Sequence, residues 1–508
     1  MKKLNKVAAL VLAAAMSVSL LACGGDTAPA STDTSKPAAS TEVTPSGDNG
    51  GSGPVEISLY RRTFNLAAVD DAQVKKVEDA INAYIADKIN VKISLHDIAS
   101  EYEDKANLAL SNGEINLLWT ASWESTIGTK DLYAANAVYD ITDLIAGTDL
   151  YNSMDANTWE ASKYGGRNYF IPVYKDNVEG YDFMFRQDLI DQFGWDITTV
   201  KKLADLEPML ADAKSAGLKY PFLTQKTAMF YRWYIDSFDF FTGDATSNWV
   251  AVDRKTNEVV DTILTPEYEE FTTLMCKWAE EGYISEDEVT KTTTDQTTQT
   301  QDWAVSWWTD IPNNGEADGR YLQDVTMQPA SKTYMHTDSM LGSCFCVSAT
   351  STPEQAQACV DFMGLLYTDS KLADMYAFGI EGEDYQYNAD GYVEKIGEKY
   401  NHSMWESASA TVVTCEAENP YTAQMYIDFN SSAEISCANG FQFDKTPVEA
   451  QYTACQSVFE EYGFVLENGG YASADVPPVI QAYQAALDEA GYQDVLAEFQ
   501  NQYNEFKK

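Results

Sequence analysis

Positive charge is scarce in this chain. Lys and Arg together number 34 against 78 Asp and Glu, a formal net charge of −44 over 508 residues. A field of that sign repels phosphate backbones, so nucleic acid is excluded as a partner, and its plain meaning is a solvated surface. Histidine is scarcer still: His96, His336 and His402 stand far apart and offer no metal-ligand spacing. Nor do the eight cysteines make a disulfide framework, because setting Cys23 aside leaves an odd number. Cys344 and Cys346 would share one strand face but lie too far apart for good disulfide geometry. Cys276, Cys359 and Cys455 fall on helical apolar stripes, where a cysteine acts as a small hydrophobe. There is no Gly-x-Ser-x-Gly elbow and no phosphate-cradling glycine loop. No metal or other cofactor is expected.

What is present begins with a processing signal over residues 1–22. Lys2, Lys3 and Lys6 precede an apolar run from Val7 to Leu21 that is short for a membrane span. Leu20-Leu21-Ala22-Cys23-Gly24 then resembles a bacterial lipobox, which implies cleavage before Cys23 and a diacylglyceryl group on its sulfur. Two acyl chains hold a protein to a membrane where one does so only marginally. Residues 23–53, rich in Gly, Ser, Thr, Pro and Ala, cannot repay their ordering entropy. They read as a tether of roughly 30 Å r.m.s. span.

The remaining length is too great for a single core. Val55 to Tyr60, Val91 to Leu95 and Ile115 to Leu118 read as strands. Between them lie amphipathic helices, with capping boxes expected at Asp70/Gln73 and Ser100/Glu103 and a stop at Gly113. That alternation predicts a parallel sheet with right-handed crossovers, whose strand carboxyl ends carry ligands. Here those ends hold Tyr60-Arg61-Arg62 and Trp119 to Glu124. Tyr164 to Tyr174 reads as a Gly-Gly hairpin and a proline break, followed by an extended run Tyr181 to Arg186; together they predict a crossing from one α/β layer to another. Beyond it come an aromatic block at 230–241, an amphipathic helix over 265–281, a polar tract from Thr290 to Gln301 and Trp303 to Thr309. On a continuous strand, Trp303, Val305 and Trp307 would share one face and Trp308 the other. A buried strand over Met340 to Ser348, a fully capped helix start at Thr352-Pro353-Glu354-Gln355 and C-terminal helices complete the pattern.

Several of these stretches together resemble the family 1 extracellular solute-binding proteins of carbohydrate-type ABC importers. They are the lipobox, Ile115 to Trp123, Gly165 to Pro172, Leu366 to Asp369 with Gly379-Ile380-Glu381-Gly382, and Gly491 to Gln502. The nearest likeness is to the larger oligosaccharide-type lipoproteins with a Gly-Ile-Glu-Gly segment. One departure is Ala135-Asn136-Ala137-Val138, where relatives often carry a glycine. The resemblance implies an α/β, two-lobed periplasmic-binding-protein-like (type II) fold with the ligand cleft between the lobes. Lobe one would comprise 54–174 and 335–375, lobe two 178–332 and 376–508. It also implies a lipid-anchored, extracytoplasmic protein that captures a sugar or oligosaccharide, closes its lobes and delivers it to permease subunits, with no catalysis.

The candidate ligand residues are Arg61, Arg62, Trp119, Ser122, Trp123 and Glu124 from lobe one, Tyr174 from the crossing, and Trp233, Trp307 and Trp308 from lobe two. Aromatic faces pack on the C–H face of a pyranose while Arg, Glu and Ser exchange hydrogen bonds with its hydroxyls. A peptide-binding importer lipoprotein, a secreted glycoside hydrolase with two opposed carboxylates and a surface adhesin remain the competing readings.

Overall fold

The computed structural model describes residues 53–224, 229–240, 248–290, 302–312 and 324–508. The signal segment, Cys23, the tether, Phe241 and most of the polar tract lie outside the described residues.

Alternating Val55, Ile57 and Leu59 drive the strand Val55–Arg62, which continues two residues beyond the alternating run. The helix Asp71–Ile85 follows, burying Val74, Val77, Ile81 and Ile85 on one face, with Asp70 accepting from the Gln73 N–H. The expected capping box forms only by half. The Gln73 amide donates instead to both carboxylate oxygens of Asp384, at 3.0 and 2.8 Å. The box expected at Ser100 does not form either: Glu101 takes the N-cap position with φ 54°, and Glu103 accepts from the backbone and hydroxyl of Thr126. Strand Val91–Ile98 pairs in parallel with the first strand from Val55↔Val91 to Arg62↔Ile98. The third strand, Leu117–Thr120, starts two residues later than the apolar run; just before it, Asn116 donates its N–H to the Ser58 carbonyl and accepts from the Ser58 N–H through its side chain.

These three strands form a five-stranded sheet with Cys344–Val347 and Phe170–Pro172, in the order 91–98, 55–62, 117–120, 344–347, 170–172. Cys344–Val347 runs antiparallel to both neighbours, so the sheet is mixed rather than wholly parallel. Before Phe170, Tyr164 and Arg167 pair across Gly165 and Gly166, whose φ of 56° and 78° suit the tight turn of a hairpin. At the departure from the family pattern, Asn136 takes φ 52°, a left-handed position that Asn tolerates where Gly is common.

After Pro172 the chain leaves this sheet. Tyr181–Arg186, buried throughout, becomes the central strand of a second, antiparallel sheet between Val305–Thr309 and Val325–Pro329. Each sheet has its own apolar core. The first gathers Leu59, Ile81, Leu117, Phe345 and Phe362; the second gathers Phe183, Phe230, Trp249, Trp278, Tyr483 and Phe499. The capped helix Pro353–Leu366 packs in the first, and Pro266–Glu280 in the second. The C-terminal pair Val476–Glu489 and Tyr492–Phe506, parted at Gly491 with φ 92°, also joins the second core.

One expected boundary moves. Tyr376, Phe378, Tyr385, Val393, Tyr400, Ala408 and Val413 pack in the first core, although 376–508 was expected in the second lobe. The Gly379–Tyr385 segment explains why. Gly379 ends the helix Ser370–Phe378 at φ 94°, and a Cβ there would sit 2.4 Å from the Asp384 carboxylate. Asp384 accepts from the Ile380 N–H and from Gln73, pinning the turn onto the helix Asp71–Ile85. The segment is therefore a structural clasp on the first core.

Three connections run between the two cores, and they lie side by side. Glu179 exchanges both backbone hydrogen bonds with Tyr334, each 2.7 Å. Tyr334–Met335 in turn pairs in parallel with Glu434–Ile435. Asn177 fastens all three: its amide donates to Val173 and Met340 carbonyls, and its N–H donates to Asn430. An ion pair, His336 Nε2 to Glu179 Oε2 at 2.5 Å, adds a side-chain link between the first and second connections.

Candidate functional site

The loop after strand Leu117–Thr120 is fixed to the second connection. The Ser122 N–H donates to the Leu341 carbonyl and its hydroxyl to that of Asp338. The Trp123 indole donates to the Gly342 carbonyl at 2.7 Å, leaving its ring 46% exposed. Around it stands an aromatic cluster. Phe64 lies 4.7 Å from Trp405, 5.5 Å from Trp119 and 6.1 Å from Trp123, between ring centroids. Trp119 is fully buried beneath, its indole donating to the Ser343 hydroxyl at 2.9 Å. The Arg62 guanidinium covers Phe64 at 4.5 Å and donates to Glu124 at 2.8 Å. Burial pushes the Glu124 carboxyl up to about 7 against the pull of Arg62, with Glu103 adding to the rise.

A second aromatic cluster flanks the same connection from the other core. Tyr181, Ile235 and Tyr334 form its buried centre, with Tyr231 and Trp307 packed against them. The Arg232 guanidinium lies 3.9 Å from the Trp307 ring and 4.3 Å from that of Tyr231. Trp233 stacks on Phe183 at 4.9 Å and 16°, with its ring partly exposed. On the opposite face of the strand Val305–Thr309, Trp308 pairs in register with Asp182. Burial and the nearby Asp310 push Asp182 up to about 8; burial and Asp176 push Asp310 up to about 6. A carboxyl that keeps its proton near neutrality can donate to a hydroxyl, which a carboxylate cannot.

The sequence-derived candidates thus divide. Arg62, Ser122, Trp123 and Glu124 come together at one aromatic face, and Trp233 and Trp307 at another. Arg61 does not belong with them: it is 1% exposed and spends its guanidinium on Asp97, the Tyr376 carbonyl and Tyr400. Alternation explains the difference, since neighbours on a strand point to opposite faces. Trp119 supports rather than contacts. Tyr174 is buried, its carbonyl accepting from the Ala410 N–H, between Ala408 and Val413 of the first core. Trp308 is 7% exposed in a small core with Met184, Leu223 and Trp303. Trp303 sits there, and not beside Val305, because the strand begins only at Val305.

Sequence reasoning missed Phe64, Trp405 and Arg232. Phe64 lies just past a strand end, and Trp405 sits in the short turn Met404–Glu406 with no periodic signal around it. A cavity of about 400 Å³ also lies on the edge strand Val91–Ile98, lined by the stacked Tyr60 and His96 with Leu108 and Lys105. It shares no lining residue with either aromatic face.

Residues 79–381 match the family model described as bacterial extracellular solute-binding protein. The chain belongs to that family. Residues 437–508 of this solute-binding protein also match a domain of unknown function, DUF3502. A relative described as a carbohydrate ABC transporter substrate-binding protein, from Streptococcus pneumoniae serotype 4, is 25% identical over 452 residues, covering 84% of this chain and 87% of its own. The fold is similar to that of the N-glycan transport solute binding protein of Streptococcus pneumoniae, at a TM-score of 0.75 and 21% identity over 89% of this chain and 99% of that one. The same protein in complex with Man1GlcNAc superposes at 0.69 with 20% identity and the same coverage. This solute-binding protein therefore has the two-lobed α/β fold of type II, and the paired connections are the crossings between its lobes.

Proposed function

We propose that the protein captures an oligosaccharide between its lobes and presents it to the permease of an ABC importer. The observation that carries this reading is the pair of aromatic clusters flanking one crossing connection, with the Trp123 ring half-exposed in the first. Phe64, Trp123 and Trp405 offer ring faces to the C–H side of a pyranose. Arg62 with Glu124, and Arg232 beside Trp307, supply the polar rim. The relative whose description names carbohydrate transport, and the fold shared with an N-glycan-binding protein, support the same class of solute.

We divide the lobes as 54–174 with 341–413, and 178–332 with 438–508, the crossings lying between. A solute touching both lobes binds the closed form better than the open one, and only that difference drives closure. Calorimetry with Man1GlcNAc and larger mannose glycans is expected to show stoichiometric binding, with the glycan recovered uncleaved. Heat with oligopeptides but with no glycan would overturn the sugar assignment; release of shortened glycan would make the protein a hydrolase.

Cys23 is proposed as the lipid-attachment site, placing the tethered body at the outer face of the cell membrane. Cys23→Ala is expected to move the protein from the membrane fraction to the medium, read by fractionation and by loss of palmitate labelling. Retention of the variant in the membrane would exclude that anchor.

A further inference from the structure

Beneath the first aromatic cluster lies a group of ionisable side chains that no part of solute capture uses. Arg61, Asp97, His402 and Glu406 are each essentially sealed from solvent. Arg61 Nε donates to Asp97 Oδ1 at 2.6 Å and Nη1 to the Tyr376 carbonyl at 2.8 Å, while Nη2 reaches the Tyr400 hydroxyl. His402 Nε2 donates to the other Asp97 oxygen at 2.9 Å. Its Nδ1 then carries the lone pair, 3.7 Å from Glu406 Oε1. Glu406 Oε1 also accepts from the Ser403 N–H at 2.7 Å, closing the turn in which Trp405 is the middle, half-buried residue.

We propose that this cluster is the positioning machinery for Trp405, and that the proton on Glu406 sets whether the turn stays closed. The second lobe takes no part in it: the cluster joins two strand ends of the first sheet to the 400–406 segment. It rests on the reading of Trp405 as a solute-stacking residue.

The charge balance explains the sensitivity. Arg61 neutralises Asp97, and among the described residues no further cation contacts the group; Lys395 acts on His402 and Glu406 only through space. Burial, and then Arg61, lowers His402 to about 4, so it is neutral at pH 7. Burial raises Glu406 to about 8 against the Ser403 N–H and Arg61, so it keeps its proton at pH 7. The phenols of Tyr376 and Tyr400, also raised by burial, stay neutral throughout. Glu406 Oε2 and His402 Nδ1 are buried without hydrogen-bond partners. Ionising Glu406 therefore places a second carboxylate near Asp97 with one N–H to serve it, and the charge is relieved when the turn opens to water and carries Trp405 away from Phe64. Because the folded value lies above the ordinary one, the folded state holds this proton more tightly than the unfolded chain does. The corresponding stability is full below the ordinary carboxylate value and falls as pH rises towards 8.

The test has two readings. In the solute-free protein, the fluorescence attributable to Trp405, taken as wild type minus Trp405→Phe, is expected to titrate with a midpoint near pH 8 and to lose that transition in Glu406→Gln, which cannot ionise. Affinity for Man1GlcNAc between pH 6.5 and 9 is expected to weaken about tenfold in the wild type and to stay level in Glu406→Gln. A flat Trp405 signal in the wild type, or the same midpoint in Glu406→Gln, overturns the proposal. A normal Trp405 titration in a protein that binds no Man1GlcNAc or other glycan leaves the positioning intact and overturns the sugar reading instead.

Discussion

Trp123→Ala is expected to weaken glycan binding by about 2 kcal/mol or more, the scale of a buried aromatic anchor at an interface. That is about thirtyfold in Kd. The ring is 46% exposed, so truncation removes little of the core, and its indole link to the Gly342 carbonyl lies at the surface. Thermal stability should therefore change little while affinity collapses. The contrast with Trp119 makes the test specific. Trp119 is fully buried and donates to Ser343, so Trp119→Ala should cost stability first, by about 3–5 kcal/mol as large core truncations do. Unchanged glycan affinity in a stably folded Trp123→Ala protein would remove the first aromatic cluster from the site.

Arg61→Ala is expected to destabilise the folded protein by about 3–5 kcal/mol, the cost of leaving a buried carboxylate without its partner. Asp97 would keep only His402 as a donor, and the carbonyl of Tyr376 would lose the guanidinium. Because Arg61 ties the ends of two strands to Tyr376 and Tyr400, the loss should be felt across residues 376–406, read as faster amide exchange there than in the second core. Arg61→Lys keeps the charge but not the planar fork and is expected to recover only part of the loss. Acid should act in the same direction. Burial pushes Asp97 up, but Arg61 and His402 outweigh it and hold the carboxyl below its usual range. The stability this pair contributes is present above the ordinary carboxylate value and is lost as pH falls through the lower folded one. A urea midpoint for Arg61→Ala equal to that of the wild type would show that the cluster carries no such load.

The two arginines show how far local reading reaches. Tyr60-Arg61-Arg62 marks a strand end beyond which a ligand could sit, and alternation says that adjacent residues face opposite ways. Which of the two faces points inward depends on what covers it. The segment around Tyr376, Tyr400 and His402, more than 300 residues away in the chain, covers Arg61 and leaves Arg62 beside Phe64. Trp405 was hidden for the same reason: a single aromatic in an irregular turn has no period to betray it, and its value comes from neighbours brought in by folding.

By itself, the sequence determined the alternation of strands and helices in the first half, the Gly-Gly hairpin and the place where the chain leaves the first sheet after Pro172. Those features rest on interactions within a few residues: apolar periodicity, caps at Asp70 and Thr352, and backbone freedom at Gly165 and Gly166. Tertiary structure alone decided that residues from Tyr376 to Val413 pack in the first core, that the strand Cys344–Val347 runs against its neighbours, and that Arg61 is internal while Trp123 is half-exposed. Each of these depends on contacts between distant segments, and burial of charge or of an aromatic ring is settled by whatever surface the rest of the chain lays over it.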